Sequence, residues 1–319
     1  MRFLLALILA GTALGALAQA YPALAVRVMV GFAPGGPKAI IARAYASRLA
    51  DAFSQPFVVE NRSGAAGNIA AEAVVRAAPD GYTLMLGSTG TNAVNPALYA
   101  NLPFDLVRDL APVSVVATSP SALAVHPRVP AQDVRELIAL ARAQPGKLTY
   151  ASAGSGSSQH LSAELFKQAT GVDIVHVPYK GAAPGITDLL AGQVDMSFAP
   201  LANVVPHAKT GKLRLLGVTS AARSSFAPGT PTLAESGVPG FDVTTWYAFF
   251  ATAGTAADTV TRLHAELRKI AQTAQLKEQL ANLGIDAAAS ASPAEARAYR
   301  DAEAERWGKL VRALGVKAE

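Results

Sequence analysis

Cysteine is absent from this chain of 319 residues. Its absence excludes a disulfide framework, a thiolate nucleophile, a cysteine-ligated metal site and a lipid anchor on a cysteine that follows a signal sequence. Without covalent cross-links, the chain depends on its own hydrophobic core. A chain of this length can bury such a core and divide it between two domains.

Charged residues are also scarce: they make up 16% of the chain, with 28 Lys and Arg against 23 Asp and Glu for a net charge of +5. The basic residues are scattered and are not interleaved with aromatic side chains, which excludes a nucleic-acid-binding stripe. The five histidines show no metal-binding spacing. We therefore expect no nucleic-acid partner, no metal and no cofactor.

Long apolar runs are missing after the first twenty residues. Arg2 precedes an apolar run over residues 3–18, and Ala16, Ala18 and Ala20 offer the small-x-small pattern that a signal peptidase cleaves. The run is shorter than the ~20 apolar residues of a membrane-spanning helix. The pattern predicts a cleaved signal peptide over residues 1–20 and a mature chain in the periplasm, with an uncleaved membrane anchor as the alternative.

The rest of the chain alternates short β-branched runs with longer alanine-rich helical stretches, which is typical of βαβ units and predicts an α/β fold with a mostly parallel sheet. The predicted strands are 26–32, 57–61, 83–86, 113–117, 123–125, 148–151, 174–177, 194–198 and 213–219, and the predicted helices are 40–52, 69–77, 134–143, 161–170 and 186–191. Two further helices are expected to begin at the capping boxes Thr255-x-x-Asp258 and Ser292-Pro293-x-Glu295, the second of them ending at Gly315.

Two α/β units without a flexible linker predict two lobes that share crossover strands. The first lobe is expected to be discontinuous, comprising residues 21–117 and 221–319, and the second to comprise residues 118–220. The chain is expected to cross between them near residues 113–125 and again near 213–220.

Three loops follow a predicted strand and precede a helix, where ligands bind beyond the carboxyl ends of parallel strands. The Pro-Gly-Gly loop (residues 32–37) lets the backbone approach a ligand. The hydroxyl loop (residues 87–92, Gly-Ser-Thr-Gly-Thr-Asn) offers uncharged donors, and the serine loop (residues 152–160, Ser-Ala-Gly-Ser-Gly-Ser-Ser-Gln-His) forms a donor-rich helix start suited to an anion. The alternatives are a tight turn, a polar loop and a serine-rich helix cap, each without a ligand.

Two further features leave alternatives open. Asp195 in an apolar strand must be paired or hydrogen-bonded, either to a ligand group or water, or to loop backbone in a purely structural role. Ser157 with His160 suggests an exported serine hydrolase, but no Gly-x-Ser-x-Gly elbow is present. We predict that His160 and His176 are packed, hydrogen-bonded side chains and that the protein is a binding protein, not an enzyme.

Motifs along almost the whole mature chain resemble the substrate-binding receptors of tripartite tricarboxylate transporters, the TctC-like or Bug family. They include 32–36 (Phe-Ala-Pro-Gly-Gly), 58–62 (Val-Val-Glu-Asn-Arg), 78–84 (Ala-Pro-Asp-Gly-Tyr-Thr-Leu), 150–154 (Tyr-Ala-Ser-Ala-Gly), 156–161 (Gly-Ser-Ser-Gln-His-Leu), 176–181 (His-Val-Pro-Tyr-Lys-Gly) and 231–237 (Pro-Thr-Leu-Ala-Glu-Ser-Gly). Their order and spacing, rather than any one motif, carry the resemblance.

The resemblance implies a two-lobe type II periplasmic-binding-protein (Venus flytrap) fold. It also implies capture of a small carboxylate and its delivery to membrane transporter subunits, with a sensor partner as an alternative role. We further expect a monomer. The implied ligand contacts on one wall are Phe32, Gly35, Gly36, Ser88 and Thr89; those on the facing wall are Ala153, Gly154, Ser157 and Ser158, with Asp195 at the rim. Trp246 and Tyr247 are expected in a loop that covers the cleft.

One departure from the family pattern lies at the start of the first helix. The family usually has Gly-Gly-x-x-Asp, whereas this chain has Ala39 in the acidic position and Lys38 before it. One negative charge is lost and one positive charge is gained, which makes the local potential more favourable to anions. We expect a preference for di- or tricarboxylates over amino acids or neutral ligands; the alternative is a degraded or repurposed site.

Overall fold

The structure is a computed structural model that describes residues 21–99, 101–179 and 182–315; the predicted signal peptide lies outside these ranges. The strands are β1 Val26–Val30, β2 Phe57–Asn61, β3 Thr83–Ser88, β4 Leu110–Val125, β5 Thr149–Ser152, β6 Val175–Pro178, β7 Met196–Pro200, β8 Arg214–Val218, β9 Thr244–Thr252 and β10 Asp286–Ala287. The α-helices are α1 Pro37–Phe53, α2 Asn68–Val75, α3 Asn95–Leu98, α4 Val134–Ala143, α5 Ser158–Thr170, α6 Ala182–Leu190, α7 Leu201–Lys209, α8 Ala257–Gln272, α9 Ala274–Ala281 and α10 Pro293–Leu314.

The strands form two sets joined through β4. In the first set, β2, β1 and β3 are parallel neighbours, and β9 runs antiparallel between β3 and the first half of β4. In the second set, β7 and β8 both pair antiparallel with the second half of β4, and β5 and β6 extend the sheet in parallel from β7. Parallel strands covered by helices explain why the sequence shows near-continuous apolar runs.

β4 is one strand of 16 residues, whereas the sequence predicted two strands separated by a turn at residues 118–121. That prediction is wrong. The segment Thr-Ser-Pro-Ser has the composition of a turn, but its backbone pairs with β9 as far as Pro120. Ladder pairing with β9 therefore overrides the local preference, and the strand accommodates it with three register shifts along its length.

The chain returns to the first set later than residues 213–220, where the sequence placed the second crossing. β8 pairs only with the second half of β4. The segment after β8 stays with the second set, because Leu233 donates to Val218 and Phe241 stacks on Phe198. The return occurs at Val243–Thr244, where β9 begins beside Pro120.

Two helix N-caps were predicted from the sequence, and the structure contains one of them. Ser292 caps α10 as predicted: its side chain accepts from Glu295 N at 3.1 Å, and Gly315 follows at φ 62°. Thr255 does not cap α8, so that prediction is wrong. The helix begins after Ala256 without a side-chain cap, and the Thr255 hydroxyl instead donates to Thr252 O at 2.7 Å.

The core consists of buried apolar clusters on both sides of the strands. One cluster covers the face of β1, β3 and β9 that packs against α1 and α8, including Ile41, Tyr45 and Leu263. Another extends through both strand sets and includes Trp246 and Phe198. None of the helices in the described ranges combines the length and the apolar character needed to cross a membrane.

Candidate functional site

The strand register brings the predicted loops to the same place. At the end of β3, Ser88 lies opposite Tyr247 of β9, which lies opposite Ala117 of β4. At the end of β7, Pro200 lies opposite Ser121 of β4. Ala117 and Ser121 are separated by only about 13 Å of extended strand. The carboxyl ends of the parallel strands of both sets therefore meet near the middle of β4. The Pro-Gly-Gly and hydroxyl loops begin at the ends of β1 and β3 in the first set, and the serine loop begins at the end of β5 in the second set.

The Pro-Gly-Gly loop presents backbone to open space. Gly35 has φ 89°, and a Cβ added there would meet no atom within 4 Å. Gly36 is the N-cap of α1 and supplies no side chain, so the first N–H groups of the helix remain without a side-chain partner. The loop is fixed from behind, because Asn61 Nδ2 donates to Phe32 O at 2.7 Å and Arg43 donates to Asn61 Oδ1.

The hydroxyl loop is more deeply buried than the sequence suggested. Ser88 and Thr89 are 1% and 2% exposed, and Thr89 Oγ1 accepts from Trp246 N at 2.9 Å. The chain then forms a π-helical turn, Gly90–Val94. Asn92 Oδ1 accepts from Ser88 N at 3.1 Å, while Asn92 Nδ2 is buried without a hydrogen-bond partner among the described atoms. An uncharged donor is thus available beside β3.

Lys38 lies between the Pro-Gly-Gly loop and the body of α1, although sequence analysis did not include it among the ligand contacts. Its Nζ lies 3.2 Å from the centroid of the Phe32 ring, a cation–π contact. Burial lowers the pKa of Lys38 to about 7. The sequence signal that could have identified Lys38 as a site residue was its position two residues after Gly36.

The serine loop uses several of its own donors internally. The N–H of Ala153 donates to Gln159 Oε1, and the N–H of Gly154 donates to Ser152 Oγ. These two backbone groups, which the family resemblance implied as ligand contacts, are therefore engaged within the loop. Ser157 caps α5 by accepting from His160 N at 3.4 Å and keeps its hydroxyl hydrogen available. The donors left for a ligand lie around Ser157 and Ser158, at the start of α5.

The serine loop also contacts the first strand set. Gly156 has φ 77°, and a Cβ added there would lie 2.6 Å from Leu98 Cδ2 of α3. Leu98 is buried in the core below the hydroxyl loop. Gly156 therefore allows the two groups of loops to approach more closely than any side chain would permit.

His160 and His176 form a stack behind the serine loop. Their rings are 4.1 Å apart at an interplanar angle of 10°. His176 Nε2 is 2.6 Å from Ser152 Oγ, and His160 Nδ1 accepts from Gly156 N at 3.0 Å. The prediction that both are packed and hydrogen-bonded is confirmed. Ser157 bonds the His160 backbone and not its ring, so the geometry gives no support to a Ser157–His160 nucleophile pair.

We expect the stack to make stability depend on pH. Burial lowers the pKa of both histidines, that of His176 to about 4. His176 takes up a proton near pH 6.5 in the unfolded chain, whereas it does so only near pH 4 in the folded chain. The free energy of unfolding should therefore fall by about 1–2 kcal/mol as the pH drops through this window, after allowance for the partial exposure of His176. Urea unfolding at several pH values measures the fall.

The control for this prediction separates the stack from the carboxylates that titrate in the same range. His176→Gln should flatten the slope between pH 6.5 and 4, because the titrating ring is removed while the carboxylates remain. An equal slope in His176→Gln and the wild type would contradict the assignment to the stack.

Asp195 is not brought together with the other predicted contacts. It precedes β7, at the end of that strand away from Pro200. Its carboxylate pairs with Arg128 at 2.8 Å and accepts from the Thr149 N–H and hydroxyl at 2.8 and 3.0 Å. Of the two alternatives left open, the structural role is the one the geometry supports, because these bonds tie the start of β5 to the start of β7.

Trp246 and Tyr247 do not form a lid, so that prediction is wrong. Both lie within β9 and are 0% and 5% exposed. Trp246 Nε1 donates to Glu303 Oε2 at 3.1 Å, and the same oxygen accepts from Trp307 Nε1 at 2.9 Å. Both indole rings are buried in the core between β9 and α10.

Comparison with known proteins gives a family match over most of the chain. The model of the tripartite tricarboxylate transporter family receptor matches residues 41–316. Protein BugT of Bordetella pertussis is 37% identical over 309 residues, which cover 97% of this chain and 94% of that protein.

Two solved structures resemble the fold closely. One is an R. palustris protein with adipate, at 37% identity and a TM-score of 0.81, covering 92% of this chain and 98% of that one. The other is MatC from Rhodopseudomonas palustris with bound malate, at 32% identity and a TM-score of 0.76, covering 91% and 100%. The predicted family resemblance, the two-lobe α/β fold class and the prediction of a binding protein rather than an enzyme are confirmed.

Proposed function

Because the chain belongs to the family of tripartite tricarboxylate transporter receptors, we propose that it binds a small carboxylate between its lobes and delivers it to the membrane subunits of a transporter. The observation that carries this proposal is the register of β4. It directs the carboxyl ends of β3 and β7, which belong to different strand sets, toward the same point. The hydroxyl loop follows β3, and the serine loop follows β5, the parallel neighbour of β7.

The free donors support a carboxylate as the ligand. The start of α1 behind Gly36 has no side-chain cap, and at the start of α5 the Ser157 side chain caps only the N–H of His160. Both are positive ends of helices, which favour a negative charge. The hydroxyls of Ser157 and Ser158 add donors. Each hydrogen bond to a charged group contributes about 1.5–3 kcal/mol. A ligand held from both sides favours the closed arrangement because it contacts both lobes only there.

The strand sets support a proposal for the lobe boundaries. We propose one lobe at residues 21–119 and 244–315 and the other at residues 120–243, with a later return to the first lobe than the sequence-based division at 220. Proteins of this family are periplasmic; for this chain we propose export by a signal peptide over residues 1–20 and function as a monomer.

Titration of the purified protein, stripped of any bound solute, tests the proposal. The structural relatives contain adipate and malate, so these acids are the first probes. We expect at least one of the C4–C8 dicarboxylates to bind with a Kd of about 10 μM or tighter, that is, about 7 kcal/mol or more of binding free energy. Isothermal calorimetry measures the Kd.

Two controls accompany this titration. A neutral diamide of the same chain length should not bind, and activated esters should not be turned over. Tight binding of the diamide, or the absence of binding by every acid together with ester turnover, would contradict the proposal.

A further inference from the structure

Lys38 has no acidic partner in the described part of the chain. No Asp or Glu oxygen described in the structure lies within 4.0 Å of its Nζ. Two neighbouring cations do have a counter-ion: Arg27 and Arg62 contact Glu60, at 2.6 and 3.6 Å. Lys38 lies beside the loop that we assign to ligand binding, where a ligand could supply the missing charge.

The position is unfavourable for a cation in the absence of a ligand. Lys38 is in the first turn of α1, where the helix end is positive and no acidic residue is present. The residue is half-buried, and desolvation disfavours its charged form. An anion near Nζ would offset both effects.

The ammonium group is also held in place. Its platform, the Phe32 ring, packs against the segment before α2: a Cβ at Gly67 would lie 3.1 Å from Phe32 Cε2 and 2.6 Å from Thr91 Oγ1. The Phe32 carbonyl is fixed by Asn61. Nζ thus lies over a fixed ring at the edge of the Pro-Gly-Gly loop, where Gly35 adjoins open space.

We infer that the Lys38 ammonium binds a second anionic group of the ligand, so that the site selects dicarboxylates over monocarboxylates of the same length. This inference rests on the proposed function. The uncharged donors of the loops and the start of α5 hold the first carboxylate, and Lys38 supplies a charge-assisted hydrogen bond to the second.

Calorimetry with adipate and its monomethyl ester tests the inference, because the two probes share a chain length and differ by one carboxylate. In Lys38→Met, whose side chain still covers Phe32, adipate affinity should fall about tenfold. Affinity for the monomethyl ester should stay within about twofold. Lys38→Arg should restore most of the adipate affinity. Lys277→Met, which removes an exposed positive charge on α9, is the matched control for net charge and should behave as wild type.

The melting temperature of the ligand-free protein distinguishes a role of Lys38 in ligand selection from a structural role. Lys38→Met should melt at the wild-type temperature or above it, because it removes a desolvated cation from a helix start. A lower melting temperature with equal losses for both probes would overturn the inference, as would wild-type adipate affinity in Lys38→Met. If the wild type binds none of the acids, the proposed function fails and the inference fails with it.

Discussion

Replacing Ser157 with aspartate should reduce adipate affinity at least 100-fold while leaving the fold intact. Ser157 is the N-cap of α5 in extended conformation, and aspartate is as good an N-cap as serine. Its charge also suits the positive helix end. The same charge would lie where the ligand carboxylate is proposed to bind. Two like charges ~4 Å apart repel by about 4 kcal/mol at an effective dielectric constant of 20, which exceeds the loss required.

The matched control is Ser292→Asp at the N-cap of α10, which is also extended and also accepts from the third helical residue. It introduces the same charge at the same kind of position, away from the proposed site. Adipate affinity should be unchanged there, and the melting temperatures of both ligand-free variants should match the wild type. Retained binding in Ser157→Asp would place the carboxylate elsewhere.

Replacing Gly156 with valine should reduce affinity about 10- to 100-fold by opposing closure. Leu98 is buried beside it, so the new side chain overfills the contact between the serine loop and α3. Overpacking costs about 1–3 kcal/mol. An open arrangement separates the two surfaces and avoids this cost, so the variant favours it. A ligand that must contact both lobes then binds more weakly, because less of the protein is competent to bind it.

Two variants isolate the collision from backbone strain. Gly171→Val introduces the same unfavourable positive φ at the other end of α5, where a Cβ meets nothing within 4 Å, and should bind as wild type. Leu98→Ala combined with Gly156→Val removes the colliding methyl groups and should recover most of the affinity. Calorimetry measures all three. Failure of the double variant to recover would show that strain alone causes the loss.

The strands and helices of each βαβ unit were predictable because their apolar periodicity directly reflects local geometry. The continuity of β4 could not be predicted in this way. It depends on pairing with β9, which joins residues 118 and 246, and no local pattern carries that information. The cap predicted at Thr255 is wrong for a local reason. Threonine suits an N-cap, but the Thr255 hydroxyl donates to the nearby carbonyl of Thr252 instead. The type of a residue limits which hydrogen-bond partners its side chain can have, and the folded structure determines which of them it reaches.

The candidate site was likewise predictable only in part. Glycine-containing loops at the ends of parallel strands could be located from the sequence, because the strand direction determines where they lie. The side chains near them could not be assigned, since Asp195 and Trp246 reach their partners across distant elements. The packing of Lys38 on Phe32 likewise depends on the conformation of the Pro-Gly-Gly loop.

The passage between the two lobes is a ribbon of two strands, because residues 118–120 of β4 are hydrogen-bonded to residues 244–246 of β9. A ribbon bends readily out of its plane, while its cross-strand bonds resist shear within that plane. We expect the proposed closure to bend this two-stranded segment while its cross-strand hydrogen bonds keep the two strands in register, so that the same faces of the lobes meet at each closure.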